Sequence, residues 1–255
     1  MPWLSVVTVV KDDLEGFQRS IDSFTAQSLN GVELIVVDSS VEESEIATFL
    51  ADSSITDFRC DWVQPQGIYP AMNRGLELAK GDYIYFLNAG DTFFDSSVLA
   101  KIGKVISLNS PTWFVGRVDI LEQTGARVTS ASWDYQSEKK ALFARGLFPP
   151  HQGTVVRTGA LRSVGGFDER FVIAADYAAA LSLSRVHDPL VTDQVFAIFF
   201  EGGVSTIRWQ ESFREFHRAR VEVFAPRGVS AFFERIRYWK HFSRVWFVRK
   251  LGRNQ

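Results

Sequence analysis

One cysteine, Cys60, is found among 255 residues, so neither an internal disulfide framework nor a cysteine-rich zinc site can form. No apolar run approaches the roughly 20 residues that cross a bilayer as a helix. The N-terminal residues also lack a basic segment leading into a long apolar stretch and a small-residue cleavage site, so a cytoplasmic protein is expected. The turn after the first apolar run carries neither G-x-G-x-x-G nor G-x-x-x-x-G-K-[ST], the two common glycine loops that cradle phosphate. A diphosphate held here would need a cation to offset its charge. Internal repeats and low-complexity tracts are absent as well.

What is present argues for a folded α/β chain. Hydrophobic residues make up 46%, which excludes a disordered class. The net charge of −2 hides an asymmetry. Residues 207–255 carry twelve Lys and Arg against four Asp and Glu, leaving 16 basic against 26 acidic residues before them. This sets off residues 207–255 as a basic, aromatic helical extension of a domain over 1–206, within which the element patterns below separate 1–110 from 111–206.

Residues 3–10 and 32–37 are near-continuous apolar runs, the pattern of strands covered on both faces. Between them Leu14, Phe17, Ile21 and Phe24 recur at three- and four-residue steps, predicting a helix over 14–28. A further helix is expected over 42–51 and a strand over 59–63. Residues 67–95 then read as a glycine loop, a helix from about Pro70 to Lys80, and a buried strand over 82–87. Strands alternating with helices imply a mainly parallel sheet with right-handed crossovers. Beyond a helix over 97–107, strand patterns appear at 113–121, 127–133, 154–157 and 195–200, and the alternation ceases, so the second half is α+β.

Asp38, Asp91 and Asp176 stand at strand or helix ends, and ligands of open α/β sheets bind outside the carboxyl ends of strands. Transfer from a nucleotide-diphosphate donor needs charge compensation for the leaving diphosphate and a base for the attacking hydroxyl. Asp91 suits the first task and Asp176 the second, with Asp38 on the nucleotide. Taken singly, each acid has a plainer reading: Asn88-Ala89-Gly90-Asp91 makes an ordinary turn, and Asp176 makes an ordinary helix N-cap.

The motifs VELIVVD, GIYPAMNRGLELAKGDYIYFLNAGD, GGFDERFVIAADY and EGGVS, in that order, resemble glycosyltransferase family 2 enzymes of the GT-A fold, especially small bacterial ones that build exopolysaccharides of the colanic-acid type. The resemblance spans roughly residues 4–205. It implies an inverting transfer from a nucleotide sugar to a glycan or polyisoprenoid-linked acceptor, assisted by Mg²⁺ or Mn²⁺. It further implies that Thr8, Val9, Lys11, Asp38, Gly67, Met72, Asn73, Asn88 and Ala89 contact the donor, that Asp91 is the metal ligand and that Asp176 is the base, with Asp168 and Glu169 as fallback bases. His151, Gln152 and Gly203 would lie on the acceptor or diphosphate side. The family's D-x-D-type motif has Asn88 at its first acidic position here, and Pro70 stands where related enzymes often carry an acid.

Two other classes fit parts of the chain. A non-catalytic nucleotide- or sugar-binding module would use the acids structurally. A nucleotidyltransferase would need a glycine- and basic-rich loop where Lys11-Asp12-Asp13 stands. Over 229–251, Phe232, Ile236, Trp239, Phe242 and Trp246 form one helical face, with Arg237, Lys240, His241 and Arg244 on another sector, a pattern suited to a membrane interface. Packing on protein explains the same pattern. Nucleic acid is not an expected partner, because no nucleic-acid-binding fold accompanies the charge.

Overall fold

Strand β1 (Leu4–Val10) is buried along its whole length because both of its faces are covered. Val7 and Val9 enter one core cluster and Leu4, Val6 and Val10 the other. The structure is a computed structural model. It describes all residues except 29, 42–44, 54, 56, 123, 131–147, 201–207 and 253–255, and leaves aside the side chains of 241, 244 and 247–252.

In chain order, α1 (Leu14–Thr25), β2 (Val32–Asp38), α2 (Glu45–Asp52), β3 (Phe58–Trp62), α3 (Ile68–Leu78), β4 (Tyr83–Phe86), β5 (Thr92–Phe93) and α4 (Val98–Asn109) follow β1. Next come β6 (Trp113–Leu121), β7 (Arg127–Thr129), a 3₁₀ turn (His151–Gly153), β8 (Thr154–Arg157), α5 (Thr158–Ser163), α6 (Ala175–Val186), β9 (Leu190–Phe200), α7 (Trp209–Phe224) and α8 (Val229–Gly252). Among the described residues these strands form one sheet of order β3-β2-β1-β4-β8-β6-β9-β5, with β7 paired to β6. The β3-β2-β1-β4 half is parallel throughout. Direction reverses at β8, which runs antiparallel to both β4 and β6. This mainly parallel first half and mixed second half match the sequence expectation.

Helices α1, α2 and α4 cover one face of the sheet through Phe17, Ile21, Phe24, Ile46, Leu50 and Ile102. Helices α3 and α6 cover the other, joined by Phe216, Ala219 and Val223 of α7. Helix α7 is thus built into the core. Two glycines permit close approaches. A Cβ on Gly75 would meet Val7 Cγ1 at 2.3 Å, so α3 lies directly on β1, and one on Gly81 would meet the Ser5 nitrogen at 2.5 Å. The buried Glu33 carboxylate completes that turn, accepting from Ser5 Oγ (2.6 Å), Lys80 N (2.7 Å) and Gly81 N (3.1 Å).

Element boundaries differ from expectation mainly where polar residues sit in regular structure. Strand β9 begins at Leu190, ahead of the expected 195, because Thr192-Asp193-Gln194 runs alongside β6 through a register shift at Gly116, where Phe196 packs too close for any Cβ. The two-residue β5, paired with β9, is too short to leave a pattern. Of the expected 127–133 strand, 127–129 forms and 131–133 lies outside the described residues, as does 42–44 of the expected second helix.

Candidate active site

The carboxyl ends of β1, β2 and β4 surround a cavity of about 220 Å³ lined by Val9, Val10, Lys11, Asp13, Ser39, Gly67, Ile68, Ala71, Asn88 and Ala89. Gly67 caps α3 with φ 123°, a conformation that a side chain would strain, and Asp13 caps α1 by accepting from Gly16 N at 2.8 Å. The turn after β4 is pinned from α1. Ser20 Oγ accepts from Gly90 N at 3.0 Å and donates to the Asp91 carbonyl at 2.7 Å, the nearest of the three carbonyls around it. Asp91 is therefore held on a rigid turn, as a strand-end carboxylate should be.

Val9, Lys11, Gly67, Asn88 and Ala89 line this cavity. Asp38 is buried beside it, its carboxylate accepting from Ser40 N at 2.9 Å, and Trp62 fixes the same segment by donating from Nε1 to Ser40 O at 3.0 Å. Three residues expected at the donor lie elsewhere. Thr8 is wholly buried on the α1 face of β1, with its hydroxyl unpaired among the described residues. Met72 sits in the core with Leu76. Asn73 fastens the 166–169 turn, accepting from Phe167 N at 2.9 Å and donating to Phe167 O and Glu169 Oε1, both at 2.8 Å. Each helical residue turns the side-chain direction by about 100°, so stepping on from Ala71 leaves the cavity.

The 3₁₀ turn His151–Gly153 brings the second half of the chain to this edge. His151 Nε2 lies 3.0 Å from Asn88 Nδ2. An amide nitrogen only donates, so Nε2 accepts, and the proton of a neutral ring sits on Nδ1. That nitrogen faces Asp176 Oδ2 at 3.6 Å, too long for a hydrogen bond and close enough for electrostatic attraction. Gln152 lies near enough to the Asp91 carboxyl to lower its pKa, and its carbonyl accepts from Tyr85 Oη. His151 and Gln152 thus touch both acids' surroundings. Gly203 lies outside the described residues.

Asp176 is not a cap. Helix α6 begins at Ala175 with Ala174 as its N-cap, and Asp176 stands in the first turn. Its Oδ1 takes the Tyr69 hydroxyl at 3.0 Å and the Tyr177 N–H at 2.8 Å, which leaves Oδ2 toward His151. Burial and the Asp176 charge hold the Tyr69 hydroxyl well above 10, so it remains a donor. Tyr69 was not anticipated as a site residue, although it lies within the GIYP motif. The fallback bases are engaged elsewhere: Asp168 pairs with Arg170 at 2.6 Å and Glu169 with Asn73.

Two observations bear on a cation. Asn88 Oδ1 is buried without a hydrogen-bond partner among the described residues, on a side chain that lines the cavity. Burial raises the Asp91 carboxyl from 3.8 to about 6, partly offset by His151 and Gln152. An orphaned carbonyl oxygen on the same tight turn as a buried carboxylate, though Asp91 itself does not line the cavity, would fit a hard cation with oxygen ligands. No group of three or more His, Cys, Asp or Glu able to hold a metal occurs among the described residues, so such an ion would depend on donor phosphates for its remaining ligands.

A model of glycosyl transferase family 2 matches residues 5–171. The chain belongs to glycosyl transferase family 2. It is 28% identical over 258 residues to an uncharacterized glycosyltransferase of Mycobacterium tuberculosis, covering 96% of this chain and 95% of that one. A PGL/p-HBAD biosynthesis glycosyltransferase of the same organism is 28% identical over 178 residues, covering 69% and 67%. Among solved structures, the mannosyltransferase of Pyrobaculum calidifontis in complex with GDP-mannose and Mn²⁺ superposes with a TM-score of 0.65 at 14% identity, over 94% of this chain and 69% of that one. The chain spans 40% of the Staphylococcus aureus TarS chain, whose fold it shares at a TM-score of 0.65. At such identities the structures carry the fold, GT-A, and family membership carries the glycosyltransferase activity.

Proposed function

We propose that this family member transfers a sugar with inversion from a nucleotide-diphosphate donor to a hydroxyl of a glycan or polyisoprenoid-linked acceptor, in surface polysaccharide or glycolipid assembly. The observation that carries this reading is His151, which lies against the donor turn at Asn88 and against Asp176 at once. The cavity at Lys11, Gly67 and Ala89 takes the nucleotide, with Ser39 in its lining and Asp38 buried next to that residue. Asn88 Oδ1 and Asp91 would hold Mg²⁺ or Mn²⁺, and a cation there neutralises charge on a departing diphosphate. Asp176 takes the acceptor proton through Oδ2, since Oδ1 is occupied by Tyr69 and Tyr177. The Nδ1 edge of His151 lies 3.6 Å from Oδ2 and faces the oxygen that receives the proton.

No described helix is long and apolar enough to cross a membrane. Contact with a lipid-borne acceptor is instead assigned to α8, whose Phe232, Phe233 and Trp239 are each more than half exposed. Such a helix suits the inner face of the plasma membrane, where a cytoplasmic enzyme meets polyisoprenoid carriers.

Release of nucleoside diphosphate from UDP-glucose, UDP-N-acetylglucosamine and GDP-mannose, with Mn²⁺ present, tests the assignment. Asp176→Asn should lower turnover by about 10²–10⁴-fold and leave Mn²⁺-dependent nucleotide binding intact. Asp91→Ala should lose both. Normal turnover in both variants would refute the assignment, and release of pyrophosphate would point to nucleotidyl transfer.

A further inference from the structure

Helix α6 presents Asp176, whose Oδ1 takes the Tyr177 amide, but the residue at its N-cap position has no side chain to cap with. Ala174 occupies the N-cap position and offers no side-chain acceptor, and the amides that open a helix have no intrahelical partner. The segment leading into the helix, up to and including the N-cap amide, is instead held from another element. Glu215, on α7, accepts from three successive backbone amides: Val172 N to Oε1 at 3.0 Å, and Ile173 N and Ala174 N to Oε2 at 2.7 and 2.9 Å. A carboxylate at a helix N-terminus is also favoured by the helix dipole.

The held segment is the one on which the site depends. Ile173 provides the carbonyl that the Tyr69 hydroxyl approaches at 2.6 Å, while the same hydroxyl lies 3.0 Å from Asp176 Oδ1. One proton serves two acceptors, so a small shift of the Ile173 carbonyl changes how much of the Tyr69 bond reaches Asp176. Glu215 in turn stands on a fixed platform. Phe216 packs edge-on against Tyr177 with ring centroids 4.9 Å apart, Arg220 reaches the Tyr177 hydroxyl at 3.3 Å, and Arg185 of α6 donates to Val223 O at 2.7 Å.

We propose that Glu215 is a positioning residue for glycosyl transfer: by gathering the 172–174 amides it sets the place of Asp176 and the direction of the Tyr69 hydrogen bond. Helix α7, beyond the stretch matched by the family model, then belongs to the catalytic machinery. This rests on the reading of Asp176 as the base.

The test compares the wild-type chain with Glu215→Ala, Glu215→Gln, Asp176→Asn and a control on α7, Glu222→Ala, which removes its surface pairs with Arg170 and Arg218. Nucleoside diphosphate release from the three sugar nucleotides named above gives kcat and donor KM, and amide hydrogen exchange reports on 172–176. Glu215→Ala should lower kcat about 10²-fold with donor KM changed no more than about two-fold, the size of effect expected when a reacting group is displaced by about 1 Å. Glu215→Gln keeps one acceptor oxygen and should fall between. Exchange at 172–174 should quicken in Glu215→Ala and stay at the wild-type rate in Glu222→Ala. Folded Glu215→Ala with wild-type kcat, or with wild-type exchange at 172–174, overturns the proposal even where Asp176→Asn is inactive. A wild-type chain that releases nothing from any donor removes the functional reading and this inference with it.

Discussion

Asn88 Nδ2 lies 3.0 Å from His151 Nε2, and through that one ring the turn after β4 faces the first turn of α6. His151→Ala should therefore lower kcat by about 10²-fold, since both the donor turn and the base lose a common support. His151→Asn should restore an acceptor for Asn88 and no group toward Asp176, so it should recover nucleotide affinity and little of kcat. Calorimetry with GDP or UDP and Mn²⁺, beside single-turnover kinetics, separates the two.

Asp91 should set a pH dependence of opposite sign for stability and for binding. Its carboxyl is raised from 3.8 to about 6, chiefly by burial. Between those values the folded chain binds more protons than the unfolded one, so this group's contribution to stability falls as pH rises from about 4 to about 6 and is least above that. Two pKa units correspond to roughly 3 kcal/mol. Asp91→Asn should thus raise the unfolding temperature at about pH 7 and change it little at about pH 4. Nucleotide binding with Mn²⁺ should weaken in the wild type as pH drops through about 6, because proton and cation compete. Thermal unfolding across pH, with and without UDP or GDP and Mn²⁺, measures both.

Gly81→Ala should destabilise the sheet. Its Cβ would come within 2.5 Å of Ser5 N and 2.6 Å of the Leu4 carbonyl carbon, both main chain, so β1 or the turn must move. The expected loss is about 1–3 kcal/mol or more, with the Glu33 bonds to Lys80 and Gly81 disturbed as well. Gly159→Ala is the contrast, since nothing lies within 4 Å of its Cβ and alanine favours α5. Urea unfolding of the two variants should show a lower midpoint for the first and an unchanged or higher one for the second.

Helix α8 should bring the chain to anionic vesicles. Phe242 is taken up by Trp209 at 5.5 Å between ring centroids, so the exposed apolar ridge runs through Phe232, Phe233, Ile236 and Trp239. In flotation with phosphatidylglycerol vesicles the wild type should rise with the lipid, and Phe232→Ser combined with Trp239→Ser should stay behind. Phosphatidylcholine alone should recover less protein, and equal recovery from both lipids would remove the electrostatic component. Point substitutions are preferable to truncation, because α7 carries Glu215.

The first half of the fold could be read from the chain because its strands are covered on both faces and its helices on one, which writes apolar periodicity directly into the residues. The strand over 113–121 and the one over 154–157 coincide with β6 and β8 for the same reason. The site was legible only as local pieces. Asp91, Asp176 and His151 stand out at element ends, whereas Tyr69 meets Asp176 across 107 residues, His151 meets Asn88 across 63, and Glu215 meets Val172 across 43. No periodicity encodes such pairings. Met72 and Asn73 show the limit in the other direction: on a helix, neighbours of a lining residue face away, so a motif names more residues than the cavity uses.

The reversal of strand direction at β8 has a consequence for the growing polypeptide. Every residue that lines the cavity at the β1, β2 and β4 edge lies between positions 9 and 89, and the strands beneath it pair among themselves. Synthesis delivers these first, and domains tend to fold as they emerge. Asp176 and then Glu215 leave the ribosome much later, so on the proposed assignment a nascent chain would complete the donor cavity well before the proposed base is placed against it.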